Sequence, residues 1–231
     1  MDVILVPGLW LAADSWREVE PALRAAGHRP HALTLPGVGA SAGAIAEVGI
    51  ADWVDAVVAA IDRAAAPVIL VGHSGGGNVV WAAADARPDR VARIVLVDTA
   101  PPPDGAGISE FPVVDGVIPF PAWDFFDDAD IADLDTETRT LMASMAHSVP
   151  ARVPTDPVSL RDDRRHRIPL TVLSGQADAT AFAAMLAQWP SYAAEWNAID
   201  TSEVRVLGSG HWPQYSKPAA LGAAIVDAIA G

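Results

Sequence analysis

The hydrophobic residues of this chain fall into two alternating patterns. Short continuous apolar runs, of which residues 3–6 are the first, are typical of strands covered on both faces in a parallel sheet. Longer Ala-rich stretches with apolar residues every three or four positions separate these runs and indicate helices. The alternation predicts an α/β fold: a mostly parallel sheet of about six strands with helices on both faces.

The predicted strands are residues 3–6, 30–35, 68–71, 91–97, 168–173 and 203–207. A first helix is predicted from a cap at Asp14 or Ser15 to residue 26, ended by Gly27. Further helices are predicted at residues 50–65, 75–86, 180–196 and 219–230. Between residues 100 and 166 the alternation breaks, and prolines, acidic residues and aromatics surround one helical piece near residues 135–147. We therefore predict a core of residues 1–99 and 167–231 and a small inserted cap at residues 100–166.

A glycine-rich motif follows the third predicted strand and precedes a predicted helix: residues 72–76 read Gly-His-Ser-Gly-Gly and match G-x-S-x-G. The motif requires this context, because its serine sits on a strained strand-to-helix turn that lifts the hydroxyl above the sheet. A Walker loop would need a lysine where Asn78 follows the last glycine, and a dinucleotide fingerprint would need G-x-G-x-x-G after the first strand. The motif predicts Ser74 as a nucleophile near the positive end of a helix.

With this motif and the opening segments at residues 3–10, 15–16, 26–28 and 33–37, the chain resembles the α/β-hydrolase superfamily over essentially its whole length. Because it begins at the first parallel strand, it is most similar to the small esterase and hydroxynitrile-lyase-like branch. The resemblance implies a Ser-His-Asp triad that works without cofactor or metal.

A serine hydroxyl needs a general base, and His211 is the strongest of six candidate histidines. His211 follows the last predicted strand in a glycine-rich loop that can carry an imidazole over the sheet edge. His73 neighbours the nucleophile, but its side chain should point away, so packing or hydrogen bonding explains it better.

Two residues compete for the role of triad acid. Asp178 follows the predicted strand 168–173 in the order Ser, Asp, His, and residues 173–178 resemble the family's strand-G-x-x-D pattern. Asp98 ends the predicted strand 91–97, where some members of the superfamily carry the acid, although a capping or turn role also accounts for it. The family pattern favours Asp178.

The resemblance also implies an oxyanion hole formed by the backbone N–H groups of Leu9 and Gly75. Pro7 stands where the family usually has a histidine, which departs from the pattern of this loop. Substrate-binding candidates are the tryptophans beside the oxyanion loop, in the cap and beside the base: Trp10, Trp123 and Trp212. Core packing is the simpler explanation for Trp81, Phe125 and Phe126.

The charge and composition of the chain restrict the classes of partner that it is expected to bind. Lys and Arg total 15 against 29 Asp and Glu, and the net charge of −14 disfavours nucleic acid and anionic membrane surfaces as partners. The chain has no cysteine, no signal-peptide pattern and no apolar stretch of membrane-spanning length, so a cytoplasmic location is predicted. No metal-ligand motif occurs, and the acidic runs of the cap are interpreted as solvated faces.

The leading hypothesis is a serine hydrolase that acts on a small hydrophobic carboxylic ester or lactone through an acyl-enzyme. One alternative is a lyase or C–C bond hydrolase on the same triad. Hydroxynitrile lyases of the resembling branch carry a lysine just after the catalytic histidine, where this chain has Trp212. A ligand-binding sensor on a hydrolase scaffold is the third hypothesis.

Overall fold

Six parallel strands form the main sheet in the computed structural model, which describes residues 1–231 apart from the side chain of Ala42. Their order across the sheet is β2-β1-β3-β4-β7-β8, and every neighbouring pair is parallel. The predicted fold class is confirmed. The bounds are β1 (Asp2–Val6), β2 (Arg29–Ala32), β3 (Val68–His73), β4 (Val91–Val97), β7 (Leu170–Ser174) and β8 (Ser202–Val206).

Most predicted helices are present with small shifts of their ends. The bounds are α1 (Glu20–Ala25), α2 (Ala42–Ile45), α3 (Ile50–Arg63), α4 (Gly75–Ala86), α5 (Asp128–Ile131), α6 (Thr136–Met145), α7 (Ala179–Leu186), α8 (Pro190–Asn197), α9 (Pro213–Ser216) and α10 (Pro218–Ala230).

Two of the stretches predicted as single helices each contain two separate helical elements in the structure. The stretch 180–196 is two helices because Pro190 lacks an N–H and starts a new helix at its first position. The first predicted helix is a 3₁₀ turn, Ala13–Trp16, followed by the shorter α1, and Gly27 adopts a positive φ of 81° just beyond it.

The continuous apolar strands are explained by helices on both faces of the sheet. In β1, Val3 and Leu5 pack with residues of α1 and α10, whereas Ile4 and Val6 pack with residues of α3 and α4. Alternate positions of the same strand are therefore buried in opposite layers. Burial of each such side chain stabilises the fold by roughly 1.5–3 kcal/mol.

The cap segment, residues 100–166, covers the carboxyl end of the sheet. It contains α5, α6 and a separate antiparallel pair, β5 (Val117–Ile118) with β6 (Val149–Pro150). Its buried residues Ile118, Val149 and Val153 belong to the same hydrophobic cluster as β1 and α3. The cap segment thus shares the main core, and the boundaries given for it above stay a prediction.

Glycines allow β3 and α4 to pass the end of β1 at van der Waals distance. A Cβ on Gly76 would lie 2.4 Å from the carbonyl oxygen of Pro7, and one on Gly72 would lie 2.7 Å from the carbonyl oxygen of Gly76. Both obstacles are backbone atoms, which cannot rotate away. The turn between β3 and α4 is therefore closed to larger residues at these positions.

His73 joins the end of β3 to the loop after β8. Its side chain is 1% exposed, and Nε2 donates to the carbonyl oxygen of His211 at 2.7 Å. Because a carbonyl only accepts, the ring proton lies on Nε2. Burial, with the nearby His211, lowers the pKa of His73 to about 3. The His73 ring is therefore neutral at ordinary pH, and its hydrogen bond connects β3 to the loop after β8.

Among the described residues, no helix combines the length and the apolar character needed to cross a membrane.

We predict that Gly76→Ala lowers the free energy of unfolding by about 3 kcal/mol, because the added methyl group meets backbone at 2.4 Å. Gly43→Ala is the matched control, since a Cβ there meets nothing within 4 Å and alanine favours the helix. Urea unfolding of both variants measures the effect. Equal stability of the two would contradict the packing argument.

We also predict that His73→Gln reduces the acid sensitivity of the fold. Between its unfolded pKa near 6.5 and its folded pKa of about 3, His73 takes up a proton only when the chain unfolds, so the free energy of unfolding falls as the pH is lowered through this range. Without that titration, the loss between about pH 7 and about pH 4.5 should be smaller by roughly 2–3 kcal/mol. Parallel curves of unfolding free energy against pH for both proteins would refute this account.

Candidate active site

Ser74 lies at the turn between β3 and α4 in a strained conformation. Its φ of 51° and ψ of −129° are unusual for a residue with a side chain, and its N–H donates to the carbonyl oxygen of Val97 at 3.0 Å. The hydroxyl lies next to the first turn of α4, where the helix dipole favours negative charge. Among the described non-glycine residues, Trp10 and Asp98, both beside this site, also have positive φ, as does Asp115 of the cap segment.

His211 reaches Ser74 from a loop that starts at the sheet edge. After β8 the chain crosses the end of β7, where Ser209 N–H donates to the carbonyl oxygen of Gly175 at 3.0 Å. The loop places His211 Nε2 2.9 Å from Ser74 Oγ. The two residues predicted as nucleophile and base are therefore brought within hydrogen-bond distance.

Asp98, and not Asp178, is hydrogen-bonded to His211. The distance from Asp98 Oδ2 to His211 Nδ1 is 2.6 Å, and Asp98 Oδ1 accepts the N–H of Gly175 at 2.8 Å. Asp178 is exposed and caps α7, where its carboxylate accepts the N–H of Ala181 at 2.8 Å. The preference for Asp178 is thus corrected. Four residues separate β7 from α7, and Asp178, the last of them, caps α7 instead of contacting His211. Asp98 directly follows β4, which lies beside β3 and therefore next to Ser74.

The environment of Asp98 keeps its carboxylate ionised. Burial alone would raise its pKa, but the hydrogen bond and charge of His211, with the N–H of Gly175, lower the pKa below its usual value. A carboxylate held in this way fixes Nδ1 of His211 as the protonated nitrogen and leaves Nε2 free to accept the Ser74 proton.

The two predicted oxyanion donors lie together at the cavity that Ser74 lines. Leu9 and Gly75 both border it, and among the described residues neither N–H donates to another backbone group. Gly8, which precedes Leu9, packs closely against His73, because a Cβ on Gly8 would lie 2.9 Å from His73 Nδ1. Two free N–H groups beside a serine nucleophile can stabilise a developing oxyanion.

This reaction cavity has a volume of about 310 Å³, and six Phe, Trp and Tyr side chains are among the residues that line it. Trp10 and Trp212 border it as predicted, whereas Trp123 lies behind Trp212, with ring centroids 5.6 Å apart, and does not line it. Trp81 is buried in the core. Residues that the sequence reasoning missed or assigned to packing also border the cavity: Ile108, Ser109, Phe111, Phe125, Phe126, Asp130 and Tyr192.

The cap segment directly contacts the loop that carries His211. His211 N–H donates to the carbonyl oxygen of Asp130 at 2.8 Å, and Trp212 packs with Ile131, Leu134 and Met142 of the cap segment. Burial raises the pKa of the Asp130 carboxyl, which faces the cavity beside His211. The contact had no signal in the sequence, because it joins residues 81 positions apart through a backbone carbonyl.

Within the described part of the chain, no group of three or more His, Cys, Asp or Glu side chains is arranged to hold a metal ion.

Comparisons with known proteins agree with this architecture. A family model described as the alpha/beta hydrolase family matches residues 3–224. Esterase PIR7B of Oryza sativa subsp. japonica is 44% identical over 103 residues, which are 43% of this chain and 38% of the rice protein. The chain thus matches about two fifths of the length of that curated relative.

Two solved structures are similar over nearly their whole length and support the fold. An extracellular alpha/beta-hydrolase from a Paenibacillus species has a TM-score of 0.77 at 22% identity, covering 99% of this chain and 98% of its own. The methylesterase MES16 from Arabidopsis has a TM-score of 0.74 at 19% identity, covering 100% and 99%. The resemblance drawn from the sequence motifs is confirmed. Since the family model spans almost the entire sequence, this chain belongs to the alpha/beta hydrolase family.

Proposed function

We propose that this protein hydrolyses small hydrophobic carboxylic esters or lactones through an acyl-enzyme formed on Ser74. The observation that carries the proposal is the continuous hydrogen-bonded series from Ser74 Oγ to His211 and from His211 to Asp98, at 2.9 and 2.6 Å. Relatives named esterase, methylesterase and lipase support hydrolysis of an ester bond.

In the first half of the reaction, Ser74 Oγ attacks the ester carbonyl carbon while His211 Nε2 takes its proton. The carbonyl oxygen becomes negative and faces the N–H groups of Leu9 and Gly75. His211 then gives the proton to the alcohol oxygen, the C–O bond breaks, and the acyl group stays on Ser74. Water activated by His211 releases the acid in the second half.

The walls of the reaction cavity favour an apolar acyl group. Trp10 packs edge-to-face on Phe111, with centroids 4.9 Å apart, and Phe126 packs edge-to-face on Trp212 at 4.8 Å. Fixed aromatic faces exclude water and bind apolar surface without reordering. The carboxylates of Asp98 and Asp130 at the same cavity disfavour a negatively charged substrate.

Cyanohydrin chemistry fits the site less well. The chain has one lysine, Lys217, and its ammonium group donates to the carbonyl oxygen of Gly208 outside the reaction cavity. Trp212, at the position where the resembling hydroxynitrile lyases have lysine, is buried against the cap.

We predict that Ser74→Ala lowers kcat for p-nitrophenyl acetate and butyrate by about 10³-fold or more and abolishes labelling by a fluorophosphonate. Mass spectrometry of the labelled wild type should locate the probe on Ser74. Ser144→Ala, at a hydroxyl bonded within the cap helix α6, is the matched control and should retain both activity and labelling. A wild-type protein that neither hydrolyses these esters nor takes up the probe would favour the sensor hypothesis.

We predict that Asp98→Asn and Asp178→Asn separate the two candidate acids. Asp98→Asn should lower kcat by about 10³-fold to 10⁴-fold, because the amide no longer stabilises the imidazolium or its tautomer. Asp178→Asn should leave kcat within about twofold, since asparagine is an equally good helix cap. Thermal unfolding of both variants controls for folding, and a large kcat loss confined to Asp178→Asn would restore the assignment made from the family pattern.

A further inference from the structure

Asn78 is a buried polar residue that borders the reaction cavity and that the proposed mechanism does not use. It lies on α4, four residues beyond Ser74, and is 5% exposed. Its Nδ2 donates to the carbonyl oxygen of Gly107 at 3.5 Å, which is longer than the usual N–H···O distance of about 2.7–3.2 Å. Among the described residues, none donates to its Oδ1. Because buried polar atoms are nearly always hydrogen-bonded, this oxygen is suited to a donor that enters the cavity.

Two hydroxyl groups border the same cavity from other elements. Ser109 lies in the cap segment, two residues after Gly107, and Tyr192 lies on α8. Burial raises the pKa of Tyr192, so its phenol stays protonated and can both donate and accept. Three uncharged polar groups, from α4, the cap segment and α8, thus border a cavity that is also lined by aromatic rings. A few placed polar groups in apolar walls are what fix the orientation of a small molecule.

The position of Asn78 on α4 sets how far its amide lies from the reacting carbon. Ser74 immediately precedes α4 and Asn78 lies in its first turn, so the two positions are about 6 Å apart along the helix axis. In the proposed reaction, Ser74 and the N–H of Gly75 hold the acyl carbon and its oxygen at the start of this helix. Two carbon–carbon bonds, a C–O bond and a hydrogen bond of about 2.8 Å bridge that separation. The group that Asn78 can reach is therefore on the third carbon of the acyl chain.

We propose that Asn78 is a specificity-determining residue, whose amide oxygen accepts a hydrogen bond from a hydroxyl group on the third carbon of the acyl chain. This inference rests on the proposed ester hydrolysis and names its substrate class as esters of 3-hydroxy acids. The free amide oxygen requires a donor, and the hydroxyls of Ser109 and Tyr192 can donate to the oxygen of the same group. A hydroxyl satisfies both, whereas an ammonium group has no acceptor and a carboxylate has no donor.

The first test compares ethyl 3-hydroxybutyrate with ethyl butyrate, which differ only in the hydroxyl. In the wild type, kcat/KM for the hydroxy ester should exceed that for the butyrate by about fivefold or more. Asn78→Leu keeps the size of the side chain but removes the acceptor, so this ratio should fall by about tenfold or more. Asn197→Leu, at an exposed position on α8, is the matched control and should keep the wild-type ratio.

Two kinetic results would overturn the proposal. One is a wild-type enzyme that hydrolyses ethyl butyrate as fast as the hydroxy ester or faster. The other is an Asn78→Leu variant that keeps the wild-type ratio, which would leave Asn78 with a structural role only. Thermal unfolding of the variant controls for folding, and the binding measurement below uses a protein in which Asn78 is intact.

A binding measurement keeps the test independent of turnover. The chain has two asparagines, Asn78 and Asn197, so ¹⁵N-asparagine labelling gives two side-chain amide groups, which Asn197→Leu assigns. When ethyl 3-hydroxybutyrate is titrated into the labelled Ser74→Ala protein, the Asn78 amide signals should shift saturably and those of Asn197 should stay in place. Ethyl butyrate should shift the Asn78 signals less.

This measurement also separates the two proposals. If the wild type hydrolyses no ester but the Asn78 signals shift with the hydroxy ester, the ester function fails and the hydroxyl recognition survives. If the Asn78 signals do not shift, or shift equally with ethyl butyrate, the hydroxyl recognition is refuted whatever the activity.

Discussion

The close passage of backbone between β1, β3 and α4 is the constraint on which the site depends. Gly76 lies against the carbonyl of Pro7, and Gly8 lies against His73, so the loop after β1 and the turn that carries Ser74 fix each other's positions. The strained φ of Ser74 is held by the same contacts. Three otherwise separate requirements, an exposed hydroxyl, two free N–H groups and a nearby helix terminus, are met by one packing arrangement.

Electrostatic interactions distinguish the two histidines at the site. The rings of His73 and His211 have centroids 5.0 Å apart, but their surroundings favour different protonation behaviour. His73 is buried without a carboxylate partner and stays neutral, whereas His211 is paired with an ionised Asp98. Because the first ring remains uncharged, the second can gain a proton beside it without a like charge as neighbour. The end of β3 thus supplies a structural imidazole, and the loop after β8 supplies a proposed catalytic one.

The fold was predictable from the sequence because the four central strands, β1, β3, β4 and β7, are largely buried on both faces and therefore consist mainly of apolar residues. The turn that carries Ser74 was predictable because the close approach of backbone segments there requires glycine at positions 72 and 76. Asp98 was harder, since its role depends on strand order: β4 lies beside β3, and position along the chain does not reveal this. The cap contacts of Trp123 and Asp130 depend on loop packing, for which the sequence carries no periodic signal.

The hydrogen bond from His211 N–H to the carbonyl of Asp130 has a consequence for how such an enzyme can diversify. The segment that borders the cavity at Ser74 also supports His211, the residue proposed to transfer the proton. Changes that broaden or narrow substrate range through this segment would therefore perturb reactivity at the same time. Laboratory evolution of new selectivity should therefore advance most freely at positions outside the cap segment that line the cavity at Ser74, such as Tyr192 of α8. Trade-offs should be greatest where the cap segment contacts the loop that carries His211.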